Sequence, residues 1–335
     1  RTLREAAGII DISNFAKYRV TGPGAEDWLN AVFANRMPRH VGRSCLTALI
    51  GKRGGIAGDA TVTRLSEDDF WIVSSGMAER YQKRVYDAVP LPQGTSFESL
   101  TNDWCGFNVA GPQSRALLQR LTNSSLAIED WPFMRSAMIE IAGVEVMALR
   151  VSFTGDLGWE LHCRAADQAA LYAALLEAGQ EVGAIPVGSR ALMSLRMEKG
   201  YGSWGREYSP EYWPQECGLD RLCRTDKPYL NRDAALANMA KPARERMVLL
   251  ALNAEDTDAS NADATGGEPI FKDGVGIGRV SSGAYGYHVG LSLALGFVKG
   301  AEPGDQVEVM VLGRPHGATI LDRPPFDPEG TGLRA

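Results

Sequence analysis

The sequence predicts an α+β protein: a mixed core built from two related strand–helix units, followed by a small C-terminal β-barrel. Three observations lead there. Tyr18-x-Val-x-Gly-Pro23 recurs as Phe107-x-Val-x-Gly-Pro112, and each copy leads into a helical pattern with leucine at the same step, Leu29 and Leu118. Such self-similarity marks a duplicated unit, although Val-x-Gly-Pro is also a common strand-to-helix junction. From Arg246 onward the pattern changes to six short apolar runs set closely together, which suits a barrel or sandwich. The chain has 335 residues, enough for two or three domains, and a boundary falls near Lys241.

Taken in order, residues from Gly8 begin a strand, and Tyr18-Arg-Val-Thr21 forms another. Pro23 stands where an early helical proline is tolerated, ahead of a helix through Trp28, Leu29 and Val32. Residues 44–65 read as a hairpin turning at Gly51-Lys-Arg-Gly-Gly55. A strand over 68–73 and a helix over 78–89 follow. Residues 137–162 read as a strand meander with Gly143 in a tight turn, and 165–182 as a helix rich in Ala, Leu and Glu. Ser189 is a candidate N-cap and Gly200 a candidate stop for a helix over 190–199. Tyr208-Ser-Pro-Glu-Tyr-Trp-Pro-Gln-Glu-Cys-Gly218 reads as an irregular loop, either packed in place or forming a wall or lid. Residues 253–268 read as a solvated acidic loop; its Asp256-x-Asp258 start resembles a calcium loop only weakly.

Composition narrows the function. A net charge of −6 argues against nucleic acid as the main partner. No run approaches the roughly 20 apolar residues of a membrane span. The opening Arg1-Thr-Leu-Arg-Glu5 has no apolar stretch of signal-peptide type and no initiator Met, which fits a processed form or a fragment. Five cysteines without Cys-x-x-Cys spacing fit reduced thiols in a reducing compartment such as the cytoplasm. The four histidines form no cluster of metal-ligand spacing, so no metal site is expected. Gly274-Val-Gly-Ile-Gly278 lies between strands and reads as a hairpin rather than a dinucleotide fingerprint; no phosphate-binding loop and no nucleophile elbow occur.

Carboxylate and arginine chemistry remains. In Ser152-Phe-Thr-Gly-Asp-Leu-Gly-Trp-Glu-Leu161, glycines bracket Asp156 in a turn, and Glu160 and His162 share one face of the strand beyond it. Together with Gly188-Ser-Arg-Ala-Leu-Met-Ser-Leu-Arg-Met-Glu-Lys-Gly-Tyr201, this stretch resembles the folate-binding aminomethyltransferase family, that of the glycine cleavage T-protein. Arg196-Met-Glu-Lys-Gly-Tyr-Gly-Ser-Trp-Gly205, Asp11-Ile-Ser-Asn-Phe-Ala-Lys17 and Pro325-Phe-Asp-Pro-Glu-Gly330 are more similar to the tetrahydrofolate-binding part of dimethylglycine and sarcosine dehydrogenases and oxidases. The resemblance runs from end to end. It implies a folate-binding core over residues 1–240 and a barrel domain over 241–335.

It also implies roles. Glu160 matches the carboxylate that accepts the paired donors of a pterin, a bidentate geometry that gives orientation as well as energy; by pattern alone a salt-bridged strand Glu is the favoured reading, and the resemblance reverses that. Arg196 matches a folate-binding arginine. Arg190, six residues earlier on another helix face, would brace the scaffold. Asp59, in Gly54-Gly-Ile-Ala-Gly-Asp59, matches the catalytic acid or base in the dehydrogenase branch, whereas the glycine-cleavage branch uses the preceding position, here Gly58; a turn-capping Asp is the other reading. Tyr201 and Trp204, with Trp213, are candidate ring walls or simply core. Phe153 replaces a Tyr common in the motif.

The implied activity is tetrahydrofolate-dependent one-carbon transfer from a methylated amine or an aminomethyl (iminium) donor, forming 5,10-methylenetetrahydrofolate. No flavin site is expected within the chain, and a flavoprotein domain or subunit is the implied partner. A folate-dependent demethylase acting on a sulfonium or ether methyl, and a non-catalytic folate-binding module, are the alternatives. Modules of the latter kind carry Lys-Gly-Cys-Tyr, whereas Lys199-Gly-Tyr201 has no Cys.

Overall fold

The computed structural model describes residues 1–253 and 263–335. Asp256-x-Asp258 and most of the acidic loop lie outside the described residues. The chain forms two open sheets and a closed barrel.

The first sheet has six strands, in the order Ile185–Val187, Gly8–Asp11, Trp104–Ala110, Gly158–Arg164, Val144–Leu149 and Ser136–Ile141. All neighbours are antiparallel except Ile185–Val187 beside Gly8–Asp11. The second has five strands: Ser44–Ile50, Ile56–Ser66, Asp69–Ser74, Ala16–Thr21 and Ser96–Ser99. Ser96–Ser99 was not foreseen: a four-residue, mostly exposed edge strand carries almost no apolar alternation.

The repeated motif sits at equivalent places, one copy in each sheet. Ala16–Thr21 leads to helix Ala25–Val32, and Trp104–Ala110 to helix Ser114–Gln119. Gly22 and Gly111 turn the chain at φ +108 and +120, and a Cβ on either would lie within 2.3 Å of a backbone oxygen. Only glycine meets both conditions.

Strand alternation sorts the side chains into layers. On the first sheet, Trp159, Leu161 and Cys163 pack outward beneath helix Gln168–Gln180 with Leu171 and Leu175. On the second, Tyr18, Val20, Phe70 and Ile72 pack outward beneath Ala25–Val32 and Glu79–Tyr86. The opposite faces meet each other through Trp71 and Val73 against Trp104, Met147 and Leu149. The functional candidates on the strands therefore sit at the margins of this inter-sheet layer.

The six short strands after Arg246 close into a barrel in the order Arg246–Leu252, Leu291–Val298, Val275–Gly286, Pro269–Lys272, Gln306–Val311 and Arg314–Leu321. Helix Ser189–Glu198 docks on it, with Met197 against Leu249, Leu293 and Leu295. This helix begins one residue earlier than expected: Gly188, in an extended conformation, takes the N-cap place, and Ser189 makes no capping hydrogen bond. Gly200 ends it at φ +67, as a C′ glycine does. Arg190 is exposed, and among the described residues its side chain makes no hydrogen bond or ion pair.

Candidate functional site

Glu160 lies in the middle of Gly158–Arg164, flanked by Asn108 on one neighbouring strand and Leu149 on the other. It is 8% exposed. Among the described residues its carboxylate receives no hydrogen bond; His162 Nε2 comes to 3.4 Å, and both ring nitrogens of His162 are unpartnered. A nearly buried carboxylate that lacks donors is costly, and it is matched by a ligand that brings them.

The turn ahead of that strand is held from several directions. Ser152 Oγ meets Thr154 Oγ1 at 2.7 Å, and Thr154 Oγ1 donates to Asp156 at 2.7 Å. Gly155 turns at φ +83 with the Lys199 side chain so close that a Cβ would stand 2.7 Å from it. Arg4, fully buried in its side chain, donates to Asp156, to the Thr154 carbonyl at 2.7 Å, to Glu198 at 2.9 Å and to the Leu195 carbonyl at 2.9 Å. Lys199 Nζ reaches Asp327 Oδ2 at 3.0 Å. The segments singled out by motif thus converge on one residue, Arg4, that sequence reasoning passed over. Its place in a polar opening stretch carried no signal of burial.

Arg196 is 1% exposed. Its Nη1 donates to the Tyr201 carbonyl at 2.7 Å and to Glu207 at 3.2 Å, and its Nη2 donates to Ser282 at 2.8 Å. Both terminal nitrogens are therefore engaged within the protein, and only Nε lacks a partner. The link from Arg196 to the site runs through the backbone of Tyr201. The half-buried Tyr201 ring stacks with Phe153 at 6.2 Å. Trp204 stacks with Tyr81 at 5.8 Å, near Met77, which is 83% exposed. Trp213 instead lies beneath the Arg244 guanidinium. The 208–218 loop is packed: its Tyr212 carbonyl accepts from Ile56, and its Tyr212 ring stacks on Phe297 at 3.7 Å.

Asp59 lies within strand Ile56–Ser66, opposite Ala48, and not in the turn. It is partly exposed to solvent. Burial pushes its carboxyl up to about 6, opposed only by its own backbone amide. Burial raises the phenols of Tyr86 and Tyr208, and the Asp59 charge adds to that rise.

Between Asp59 and Glu160 lie several local contacts, joined to one another only through chain neighbours; no direct contact between the two is present among the described residues. Gln82 packs on Gly58 beside Asp59; Tyr81 stacks on Trp204; Trp204 bridges to Tyr208, which packs on Gly202. Tyr201 stacks on Phe153, and Ser152 meets Asn108, the cross-strand neighbour of Glu160. An open surface cleft lies elsewhere, around Thr225, Lys227 and Asp233. Its charges are internally matched: Lys227 donates to the Asn30 and Phe33 carbonyls, and Asp226 pairs with Arg36 and Arg224.

Comparison with known proteins agrees with the fold. The family profile for the GCVT N-terminal domain matches residues 1–227, and that for the glycine cleavage T-protein C-terminal barrel domain matches residues 246–327. The chain belongs to the glycine cleavage T-protein family. This is an aminomethyltransferase-like, folate-dependent family of transferases. The chain is 33% identical over 340 residues to mitochondrial dimethylglycine dehydrogenase of Rattus norvegicus, a match that takes in 100% of this chain and 39% of the rat protein. It is 31% identical over 326 residues to an aminomethyltransferase of Saccharopolyspora erythraea, covering 93% of this chain and 84% of that protein. The solved structure of aminomethyltransferase T from Bartonella henselae has the same fold, with a TM-score of 0.86 over 98% of this chain and 88% of that one, at 23% identity. Among the described residues, no helix is long and apolar enough to cross a membrane.

Proposed function

We propose that this chain catalyses tetrahydrofolate-dependent transfer of a one-carbon unit from a methylated amine or aminomethyl (iminium) donor, with 5,10-methylenetetrahydrofolate as the product. The observation that carries the reading is Glu160: a carboxylate nine-tenths buried that receives no hydrogen bond among the described residues. A reduced pterin presents an amino group and a ring N–H side by side, the donor pair such an acceptor lacks. When bound, tetrahydrofolate supplies the nucleophilic nitrogen that takes up the carbon.

The chain's own residues do the rest. Glu160 orients the ring. Tyr201 with Phe153, and Trp204 with Tyr81, provide apolar walls that keep water from the reactive carbon. Asp59 handles a proton near neutrality, because burial sets its carboxyl close to the working pH. That property favours a catalytic role over a purely folate-binding module. Arg196 contributes by fixing the Tyr201 backbone. A relative of which this chain spans 39% is a dehydrogenase, so we extend the proposal to a donor prepared by a flavoprotein domain or subunit.

Calorimetric titration with tetrahydrofolate tests the reading. Truncating Glu160→Ala removes a charged, paired acceptor and should cost about 2–5 kcal/mol of binding in a folded variant. Unchanged affinity would return Glu160 to the role of an ordinary strand carboxylate. Free formaldehyde in place of the methylene product would speak against transfer, and methyltetrahydrofolate as product would favour a demethylase.

A further inference from the structure

His162 is fully buried on strand Gly158–Arg164, two residues beyond Glu160 and on the same face. On one neighbouring strand it stands opposite Gly106, where a Cβ would lie 2.9 Å from Nδ1; on the other it stands opposite Met147. Trp71 of the second sheet faces the ring, with centroids 5.9 Å apart. Neither ring nitrogen makes a hydrogen bond among the described residues. In either tautomer the ring carries an N–H donor, and burying one without an acceptor is costly. The polar group within its reach is the Glu160 carboxylate, with Nε2 3.4 Å from Oε2. Asn108, the cross-strand neighbour of Glu160, has its amide turned elsewhere: Nδ2 donates to the Trp159 carbonyl at 3.1 Å and to the Val151 carbonyl at 3.4 Å. The uncommitted donor beside Glu160 is thus His162.

We propose that His162 is the positioning residue for Glu160: its Nε2 proton is directed at Oε2 and fixes the plane of the carboxylate, so that both oxygens are set for a ligand's paired donors. The two contacts do not compete. An ionised carboxylate offers about four lone-pair sites; a bidentate ligand takes one on each oxygen, and His162 takes a third. The 3.4 Å gap exceeds the roughly 2.7–2.9 Å of a charge-assisted hydrogen bond, and a small rotation of either side chain closes it. The tautomer follows from the same contact, since a proton on Nδ1 alone would set the Nε2 lone pair against the carboxylate. The proposal rests on the reading of Glu160 as a ligand acceptor, yet the contact between His162 and Glu160 is testable without ligand.

The first measurement is NMR of the His162 ring nitrogens in the unliganded protein and in Glu160→Gln. A proton on Nε2, with an Nε2 signal that shifts when the carboxylate is replaced, is the expected result. A ring protonated on Nδ1 alone, or signals identical in the two proteins, overturns the proposal. The second is tetrahydrofolate affinity. His162→Phe keeps a planar ring and removes the donor; it should weaken binding by about tenfold, and by less than about twofold in the Glu160→Gln background. His162→Gln, whose amide can place a donor near the position of Nε2, should recover most of that loss. Equal losses in the two His162 variants, or in both backgrounds, would make His162 a packing residue and sink the idea. If His162→Phe fails to fold, the ring NMR decides alone. Unchanged affinity in Glu160→Gln by itself would overturn the pterin reading, and the use made of His162 with it. Weakened affinity there beside a ring protonated on Nδ1 alone would overturn only the role of His162.

Discussion

The Arg4 guanidinium lies 3.6 Å from the centroid of the Phe326 ring. The short helix Thr2–Glu5 and the Pro325-Phe-Asp-Pro328 segment thus meet beneath the turn that leads into the Glu160 strand. Arg4 holds Asp156 and Glu198 there, both buried. Burial dominates the upward shift of the Asp156 carboxyl, with Arg4 opposing it.

Arg4→Met should therefore be severe. It leaves two buried carboxylates without their cation, which typically costs about 3–5 kcal/mol. Urea unfolding of the two proteins would measure it. A loss below about 1 kcal/mol would mean that Asp156 and Glu198 find other partners or take up protons cheaply.

Asp59→Asn should separate binding from chemistry. If Asp59 relays the proton, transfer should slow by about 10²–10⁴-fold while folate affinity changes little. In the unmutated protein, activity that needs the ionised form should rise with pH through about 6. Stability should move the other way. The folded-state value lies above the unfolded one, so the native state binds more protons between about pH 4 and 6, and stability falls as pH rises across that window. Asp59→Asn should then gain on the order of 1–3 kcal/mol at pH 7 and little at pH 4. Denaturation curves at the two pH values, beside single-turnover kinetics, would show both effects; a variant with unaltered turnover makes Asp59 a bystander.

Arg196→Met should act on the scaffold first. Glu207 is fully buried and would lose its cation, leaving Ser203 and Ser281 as donors. A stability loss of about 3–5 kcal/mol is expected, accompanied by weaker folate binding as Tyr201 shifts. Weaker binding with unchanged stability would instead point to direct contact between the guanidinium and folate.

Gly155→Ala tests the turn. The residue sits at φ +83 with Lys199 in the way, so the substitution combines backbone strain with a clash. A cost of about 1–3 kcal/mol is expected, with a drop in folate affinity, since the Glu160 strand begins three residues later. Thermal unfolding and titration of the same sample would check both.

Much of this molecule was legible from local pattern. The hairpin around Gly51-Lys-Arg-Gly-Gly55, the two Val-x-Gly-Pro units and the six barrel strands all follow from alternation and turn residues, which act over a few positions. Glu160 and Asp59 could be marked by motif alone. What Arg196 and Arg4 do could not be read that way. Arg196 looked like a ligand arginine, and its partners Glu207 and Ser282 come from a loop and the barrel. Arg4 finds Asp156 and Glu198 more than 150 residues away. Turns and periodicity are set by short-range sterics and by which residues shun water, so the chain by itself determines them. The partner of a buried charge depends on which distant segments packing brings together, and only the tertiary structure decides that.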